Sequence, residues 1–467
     1  MGVGVSSWQL AQEVARAGEL GVVSGTASAV SHARQLAIGD PGGHVQRALS
    51  HFPFPAMARR VHARHFGTAK QEPGAARFQA IPQPSLDPVT ALTELTVVGN
   101  FIEVFLAKSG HDGLVGINYL EKIQLPTLAS LYGAMLAGVD YVLMGAGIPA
   151  RIPALLDRLA VHEPVSMPVV VADAERGDDF EISFDPRAFA GAEEELSPLP
   201  RPRFLAIVSS ATMATFLFRN AAGAPDGFVV EAAIAGGHNA PPRGKMKLDE
   251  AGQPIYGPRD VIDVAPIAAL GLPFWMAGGY ATPESLAAAR ALGAQGIQVG
   301  TAFAFCNESG LDPALKASAL QAALAGEATV RTDARASPTG YPFKVLESPG
   351  TLSEQGTYEE RPRLCDIGYL REPYKRPDGQ VGYRCAAEPV DDYVRKGGDA
   401  ADTEGRRCLC NALVADIGLG QVRRDGYIEA ALLTAGDDVK GLARYVPEGA
   451  TSYSAKDVLD HLLLPPS

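Results

Sequence analysis

The sequence predicts an α/β fold, more specifically a (β/α)8 barrel, on three observations. Short apolar runs without polar alternation recur along the chain, as expected for strands that are buried on both faces. Ala- and Leu-rich helical stretches separate these runs, and this alternation favours parallel pairing. Beyond about Val330 the alternation stops. We therefore divide the chain into a barrel with insertions, residues 1–330, and a smaller Cys-containing C-terminal extension, residues 331–467.

Seven strands are predicted from the apolar runs, at residues 21–25, 115–120, 141–145, 204–209, 228–231, 274–279 and 296–301. The clearest strand–helix–strand unit covers residues 272–300. There Thr282 is predicted to cap a helix that has Pro283 in its first turn and Gly293 at its end. Two segments interrupt the pattern and are predicted to be insertions that decorate the barrel. They are residues 35–95, with helical patches, and residues 165–200, which begin with a hairpin.

Composition and charge exclude several classes of partner. The chain has 467 residues, 46% of them hydrophobic and 20% charged, with a formal net charge of −12. Its basic residues are scattered, so the electrostatic footprint of nucleic-acid binding is missing. No run of about 18 apolar residues and no leader pattern is visible, so we expect a cytoplasmic protein without a membrane partner.

Two glycine clusters follow consecutive predicted strands, Ala277-Gly278-Gly279 and Val299-Gly300-Thr301. In a parallel barrel the loops after the last two strands present backbone N–H groups at the C-terminal face, which suits a phosphate group. The alternative is that these glycines only make tight turns.

His238 ends the segment Ala235-Gly236-Gly237-His238, which follows the predicted strand that ends at Glu231. Histidine can give or take a proton near neutral pH, and this position is at the functional end of a barrel strand. The alternative is a structural histidine whose hydrogen bonds are satisfied within a loop.

The ordered series of these two motifs and the segment 293–303 resembles that of the nitronate monooxygenase family, formerly called 2-nitropropane dioxygenases. The similarity extends from residue 1 to about residue 350. The resemblance implies an FMN-dependent TIM barrel and an oxidoreductase activity. A related group of flavin-dependent enoyl reductases has the same fold and much of the same pattern.

The resemblance also implies roles for individual residues. His238 is expected to be the catalytic acid or base. The residues expected to bind FMN are Asn118, Gly145, Gly236, Gly237, Gly278, Gly279, Gly300 and Thr301.

Three features depart from the family pattern. The chain begins at Met1-Gly2-Val3-Gly4, where members usually first have a strand, so the barrel is expected to lack its first strand unless the true start lies upstream or another segment fills the gap. Glu231 would disfavour an anionic nitronate unless it is protonated or paired. A basic loop at residues 239–247 is either an anion site or a solvated surface loop.

Two activities and one binding role are compatible with these residues. The first is a nitronate monooxygenase that oxidises nitroalkanes or nitronates with O2 to a carbonyl compound and nitrite. The alternative is an NAD(P)H-dependent enoyl-thioester reductase, or a trans-acting enoyl reductase of a polyketide or polyunsaturated fatty acid synthase. A barrel without catalysis that binds a partner is the third. We expect a small-molecule substrate. A homodimer is an open alternative to a monomer, and the reductase would have a carrier protein as its partner.

Four cysteines lie in the C-terminal extension: Cys365, Cys385, Cys408 and Cys410. Four thiolates can bind a structural zinc ion, but none of these cysteines has the Cys-x-x-Cys spacing that is typical of such sites. Free thiols and no metal are therefore the default expectation.

Overall fold

The structure, a computed structural model, describes residues 2–72, 75–191 and 195–466. Within these residues the chain forms fifteen strands and seventeen α-helices. The strands are β1 (Gly21–Ser24), β2 (Lys70–Glu72), β3 (Ala75–Arg77), β4 (Val115–Leu120), β5 (Tyr141–Gly145), β6 (Val165–Pro168), β7 (Glu181–Phe184), β8 (Arg203–Val208), β9 (Gly227–Glu231), β10 (Phe274–Ala277), β11 (Gly296–Gln298), β12 (Val330–Asp333), β13 (Phe343–Leu346), β14 (Glu372–Lys375) and β15 (Val381–Arg384). The helices are α1 (Trp8–Arg16), α2 (Ser28–Ala37), α3 (His44–Leu49), α4 (Pro55–His65), α5 (Thr90–Lys108), α6 (Thr127–Leu136), α7 (Ile152–Ala160), α8 (Pro186–Ala190), α9 (Ala211–Phe218), α10 (Ala265–Ala268), α11 (Pro283–Ala291), α12 (Thr301–Ala304), α13 (Pro313–Leu324), α14 (Gln355–Glu360), α15 (Val390–Arg395), α16 (Leu409–Ala415) and α17 (Ala455–Leu462).

Seven strands pair in one parallel sheet in the order β1-β4-β5-β8-β9-β10-β11. Each of them coincides with one of the seven strands predicted from the apolar runs, and helices connect them. The unit predicted at residues 272–300 is also confirmed, since the side chain of Thr282 accepts a hydrogen bond from Ser285 N at the start of α11.

The parallel sheet is curled into a barrel. Leu143 of β5, Leu205 of β8 and Val229 of β9 pack in one apolar cluster on its inner side. Val22 of β1 and Trp275 of β10 pack against the same cluster, although they lie near opposite ends of the strand order. This is the layered side-chain filling of a TIM barrel interior, here with seven strands instead of eight. The predicted fold class is confirmed, and the part of the chain that the structure describes contributes seven strands to the barrel.

Two helices close the outer side of the gap between the edge strands β1 and β11. Helix α1 packs on β1 and on α17, and α17 also packs on α11 and α12. Leu459 and Leu462 of α17 line the interior cavity together with Leu10 of α1 and Ile297 of β11. The expected gap is therefore present, and a C-terminal helix that the sequence pattern did not point to covers it.

The two predicted insertions are folded against the barrel. Helices α3 and α4 lie within residues 35–95, and β6 pairs antiparallel with β7 as the predicted hairpin of residues 165–200. Residues 192–194 of the second insertion lie outside the described residues.

The C-terminal extension shares a hydrophobic core with the barrel. Leu433, Tyr445 and Tyr453 of the extension pack in one cluster with Leu10 of α1 and Phe305, which follows α12. The hydroxyl of Tyr453 donates to Ala302 O at 2.7 Å. The extension therefore covers the last barrel helices, while the boundary at residue 331 stays a prediction.

Among the described helices, α5 is long and apolar enough to span a membrane, and 78% of its most apolar stretch is buried inside the protein. It packs against α1, α2 and α6. Helix α5 is accordingly a core helix of the barrel's outer layer, and cytoplasmic localisation stays a prediction.

Candidate active site

One cavity of about 690 Å³ opens at the carboxyl ends of the barrel strands and extends into the barrel. Its volume is in the range of cofactor and substrate sites. The sequence-predicted site residues all line it: Asn118, Gly145, Gly236, Gly237, His238, Gly278, Gly279, Gly300 and Thr301. The structure thus brings these residues together, and their individual roles stay predictions.

The loop that contains His238 is fixed by the C-terminal extension. Gly237 N donates to Thr434 Oγ1 at 2.8 Å, and Gly237 O accepts from Lys344 N at 2.8 Å. Asn239 N donates to Pro342 O at 2.9 Å. These bonds leave the imidazole on the cavity wall with little freedom to move.

His238 has one ring nitrogen engaged and is held in the neutral form. Its Nε2 lies 2.7 Å from Ser337 Oγ, and its ring meets the edge of Phe343 with a centroid distance of 4.9 Å. Burial, with a smaller contribution from the positive charge of Lys122, holds the pKa of His238 well below its ordinary value. A neutral imidazole can accept a proton, and Nδ1 is the nitrogen left for a substrate.

Two features of the cavity fit a flavin nucleotide. Asn118 is 4% exposed, and its Oδ1 has no hydrogen-bond partner in the described part of the chain. Such a buried acceptor is costly unless a ligand donor satisfies it, and a flavin ring offers an N–H group. A Cβ placed on Gly300 would meet no atom within 4 Å, so the glycine leaves open space beside the predicted phosphate position.

Glycine is required at the turn after β10 by backbone conformation. Gly278 and Gly279 have φ values of +83° and +79°, which side-chain-bearing residues rarely adopt. Gly236 is constrained differently, because a Cβ there would lie 2.9 Å from the backbone carbon of Ala435. Gly236 is therefore needed for the close approach of the C-terminal extension, a reason that the motif did not indicate.

Thr301 is engaged by the C-terminal extension. Its Oγ1 accepts a hydrogen bond from Gly436 N at 2.9 Å, and its hydroxyl also contacts Asp438. Burial raises the pKa of Asp438, which reduces its charge next to the predicted phosphate position. The Thr301 hydroxyl thus has protein partners, and its neighbour Gly300 provides the open space.

Glu231 ends β9 and lines the same cavity. Burial raises its pKa to about 7. This carboxyl is partly protonated at neutral pH, so it can donate or accept a hydrogen bond, whereas its charged form repels anions.

Several polar residues of the site carry no motif and were missed by the sequence analysis. Thr434 and Ser337 are hydrogen-bonded to the loop that contains His238. Ser337 is in turn hydrogen-bonded to Thr339, and Thr339 to Lys122. Tyr341 also lines the cavity. Sequence separations of about a hundred residues or more between these groups and His238 leave no local pattern that could reveal them.

The C-terminal cysteines do not support the zinc alternative. In the part of the chain that the structure describes, no three His, Cys, Asp or Glu side chains are placed to hold a metal ion. Cys385 and Cys408 pack in an apolar cluster with Cys410 against it, and Cys365 is also a free thiol. Burial raises the pKa of Cys408 to about 12, which disfavours the thiolate that a metal needs.

The family model and relatives by sequence support the predicted family resemblance. The family model for nitronate monooxygenase matches residues 192–347. A hydroxy-methyl-oxo-octahydro-indene-carboxyl-CoA dehydrogenase from Mycobacterium tuberculosis is 28% identical over 231 residues, which cover 46% of this chain and 60% of that protein. A nitronate monooxygenase from Paraburkholderia phytofirmans is 34% identical over 119 residues, or 24% of this chain and 30% of that protein. The solved nitroalkane oxidase from Streptomyces ansochromogenes is 17% identical, with 99% of this chain and 92% of that chain covered and a TM-score of 0.47.

The matched segment contains His238 and both glycine clusters, so the resemblance predicted from these motifs is confirmed. The chain spans 60% of the length of the CoA dehydrogenase and 30% of that of the nitronate monooxygenase.

Proposed function

We propose that this relative of the nitronate monooxygenases is an FMN-dependent oxidoreductase that reduces an enoyl thioester with NAD(P)H. The observation that carries the oxidoreductase assignment is that all the predicted flavin residues and His238 line one cavity at the carboxyl ends of the barrel strands. The unpartnered Asn118 Oδ1 and the open space at Gly300 support a flavin there.

Glu231 favours a thioester over a nitronate as substrate. Its pKa of about 7 leaves a substantial negative charge in the cavity at neutral pH, which would repel an anionic nitronate. An enoyl thioester is uncharged at its reacting carbons. The similarity to a dehydrogenase of a carboxyl-CoA compound supports the same class of substrate.

The bound flavin would supply hydride transfer, and the chain's own residues would bind the substrate and move a proton. His238, fixed by Ser337 at Nε2, would transfer a proton between its Nδ1 and the α-carbon of the thioester. The backbone bonds of Gly237 to Thr434 and Lys344 would hold the imidazole in position for this transfer.

The basic loop after His238 supports a substrate that carries phosphate. Pro241 lines the cavity, while Arg243 and Lys245 are exposed just beyond it. Arg243 is held by the bond from its backbone N to Asp260 Oδ1 at 2.7 Å. Such a loop suits the phosphates of coenzyme A, of NADPH or of a carrier protein's phosphopantetheine, and the last would make a carrier protein the partner.

Nitronate oxidation is the second candidate, and the match of residues 192–347 to the nitronate monooxygenase family favours it. There His238 would remove the α-proton of a neutral nitroalkane. The neutral imidazole, with its lowered pKa, is compatible with that role.

An anaerobic absorbance titration distinguishes these candidates. The purified protein is followed at the flavin band near 450 nm while NADPH, NADH or the nitronate of 2-nitropropane is added. We expect bleaching by a nicotinamide nucleotide and recovery of the band when crotonyl-CoA is then added. Bleaching by the nitronate alone would assign the second candidate. A protein that binds no FMN would overturn both and favour a binding role.

A further inference from the structure

Lys122 lies next to the site and has no assigned role. It follows β4 at the carboxyl end of that strand, and its Nζ donates to Thr339 Oγ1 at 3.3 Å. The same Nζ lies 4.5 Å from the centre of the Tyr341 ring. No carboxylate of the described residues forms an ion pair with Lys122. A half-buried ammonium group without a counter-ion is costly, which points to a function.

A continuous series of hydrogen bonds joins Lys122 to His238. Thr339 Oγ1 lies 2.8 Å from Ser337 Oγ, and Ser337 Oγ lies 2.7 Å from His238 Nε2. Both hydroxyl groups can accept one hydrogen bond and donate another, so the series can pass a proton in either direction. Ser337 itself is fully buried.

The segment that carries the two hydroxyl groups is rigid. Arg406 Nη1 donates to Ser337 O at 2.6 Å, and Thr339 N donates to Ser337 Oγ at 3.3 Å. Gly340 N donates to Ser337 O at 3.1 Å and closes the turn. The hydroxyl groups are thus held within hydrogen-bonding distance of each other and of both ends of the series.

We propose that Lys122 supplies a proton to His238 Nε2 through Thr339 and Ser337 while His238 Nδ1 gives its proton to the substrate. The proposal rests on the proposed function, in which His238 gives its proton to the substrate. As His238 Nδ1 gives its proton to the substrate, the Ser337 hydroxyl gives its proton to His238 Nε2, the Thr339 hydroxyl gives its proton to Ser337 Oγ, and the Lys122 ammonium gives a proton to Thr339 Oγ1. The imidazole stays neutral, and Lys122 becomes a neutral amine. After product release, water in the cavity protonates Nδ1 and the series runs back to Lys122, so one solvent proton is consumed in each cycle and no electron moves.

The electrostatic surroundings of Lys122 suit this exchange. Burial lowers its pKa to about 7, so the ammonium group can lose a proton near neutral pH. The groups around the series are His238, the Tyr341 ring, the adjacent Glu121 and Arg406 at the Ser337 carbonyl. Burial raises the pKa of Glu121, which reduces its power to hold Lys122 in the charged form. Lys122 is therefore a positioning residue that acts through His238.

The first test follows the ionisation of Lys122 without any substrate. NMR spectra are recorded across a pH range on protein with ¹³C- and ¹⁵N-labelled lysine, and the Lys122 signals are identified by their absence from the spectrum of Lys122→Met. The Nζ and Cε signals of Lys122 should titrate near pH 7. A Lys122 signal that titrates above pH 10, as an ordinary lysine does, would overturn the proposal. Because no turnover is needed, this result stands whether or not the enoyl-reductase assignment is correct.

The second test measures the pH profile of crotonyl-CoA reduction. Lys122→Met and Thr339→Val should each lower kcat on the order of 100-fold with little change in KM, and should remove the fall in rate as pH rises through 7. Lys122→Arg keeps the charge but holds its proton too tightly, so it should be as slow as Lys122→Met. Methylamine in the buffer should restore part of the rate of Lys122→Met only.

Two control variants are matched to these. Lys440→Met and Thr329→Val replace exposed residues that do not line the cavity and should leave the pH profile unchanged. A Thr339→Val profile that overlaps the wild-type profile would overturn the relay. If the wild-type protein reduces no enoyl thioester while Lys122 titrates near pH 7, the proposed function fails and the ionisation of Lys122 still stands.

Discussion

The cavity has two walls that differ in how they are encoded. The barrel wall is formed by the strand ends with Asn118, Gly278 and Gly300, whereas the C-terminal wall is formed by Tyr341, Phe343, Thr434 and Ala435. The barrel wall consists of short motifs directly after strands, and these could be predicted from the sequence. The C-terminal wall consists of hydrogen bonds between residues distant in sequence. The proposed flavin contacts lie on the barrel wall, whereas the hydrogen bonds that position His238 come from the C-terminal side.

The largest expected effect comes from His238, where the two walls meet. His238→Asn removes the group that transfers the proton but not the loop around it, so crotonyl-CoA reduction should fall by roughly 10²- to 10⁴-fold. Flavin content and anaerobic reduction by NADPH should stay near the wild-type values. Absorbance spectra and stopped-flow traces measure both. Full turnover in this variant would mean that His238 has only a structural role.

The next effect isolates the barrel wall. Gly300→Val places a side chain where a Cβ meets no atom within 4 Å, so the chain should fold and the FMN content should drop severalfold. Gly356→Val in α14 is the matched control, because its Cβ also meets nothing within 4 Å but lies outside the cavity. Flavin-to-protein ratios after desalting measure the difference. Equal FMN content in the two variants would mean that Gly300 does not lie at the cofactor site.

The difference between the walls also explains how far sequence reasoning extends. All seven barrel strands and the βαβ unit at residues 272–300 could be predicted because local apolar runs, caps and glycines determine them. Helix α17, which covers the gap next to β1, could not, because its position depends on packing against α1 and α11. Gly236 has a further constraint that the motif did not indicate, because a Cβ there would lie 2.9 Å from the backbone carbon of Ala435, about two hundred residues later.

A smaller effect tests whether the C-terminal wall positions His238. Thr434→Val removes the acceptor of the Gly237 N–H at 2.8 Å and leaves that donor unsatisfied. We expect a loss of about 1–3 kcal/mol in the free energy of unfolding and a lower kcat with unchanged FMN content. Urea denaturation and steady-state rates measure these. Thr329→Val, at an exposed threonine, is the control. An unchanged kcat in Thr434→Val would mean that the C-terminal wall stabilises the fold but does not position His238 for catalysis.

The smallest expected effect concerns Glu231, whose carboxyl lies on the barrel wall. Its pKa is raised by burial from 4.5 to about 7, so the folded protein binds this proton more tightly than the unfolded chain does. The contribution of this carboxyl to stability therefore falls as pH rises from 4.5 to about 7, and it stays low above that range. Glu231→Gln cannot ionise, so its Tm should exceed the wild-type Tm by about 2 °C or more at pH 8, and the difference should shrink at pH 5. Differential scanning calorimetry across this range, with the exposed Glu250→Gln as control, measures the change. A difference in Tm that is the same at both pH values would mean that Glu231 ionises as an ordinary glutamate, and the argument from its charge against a nitronate would be lost.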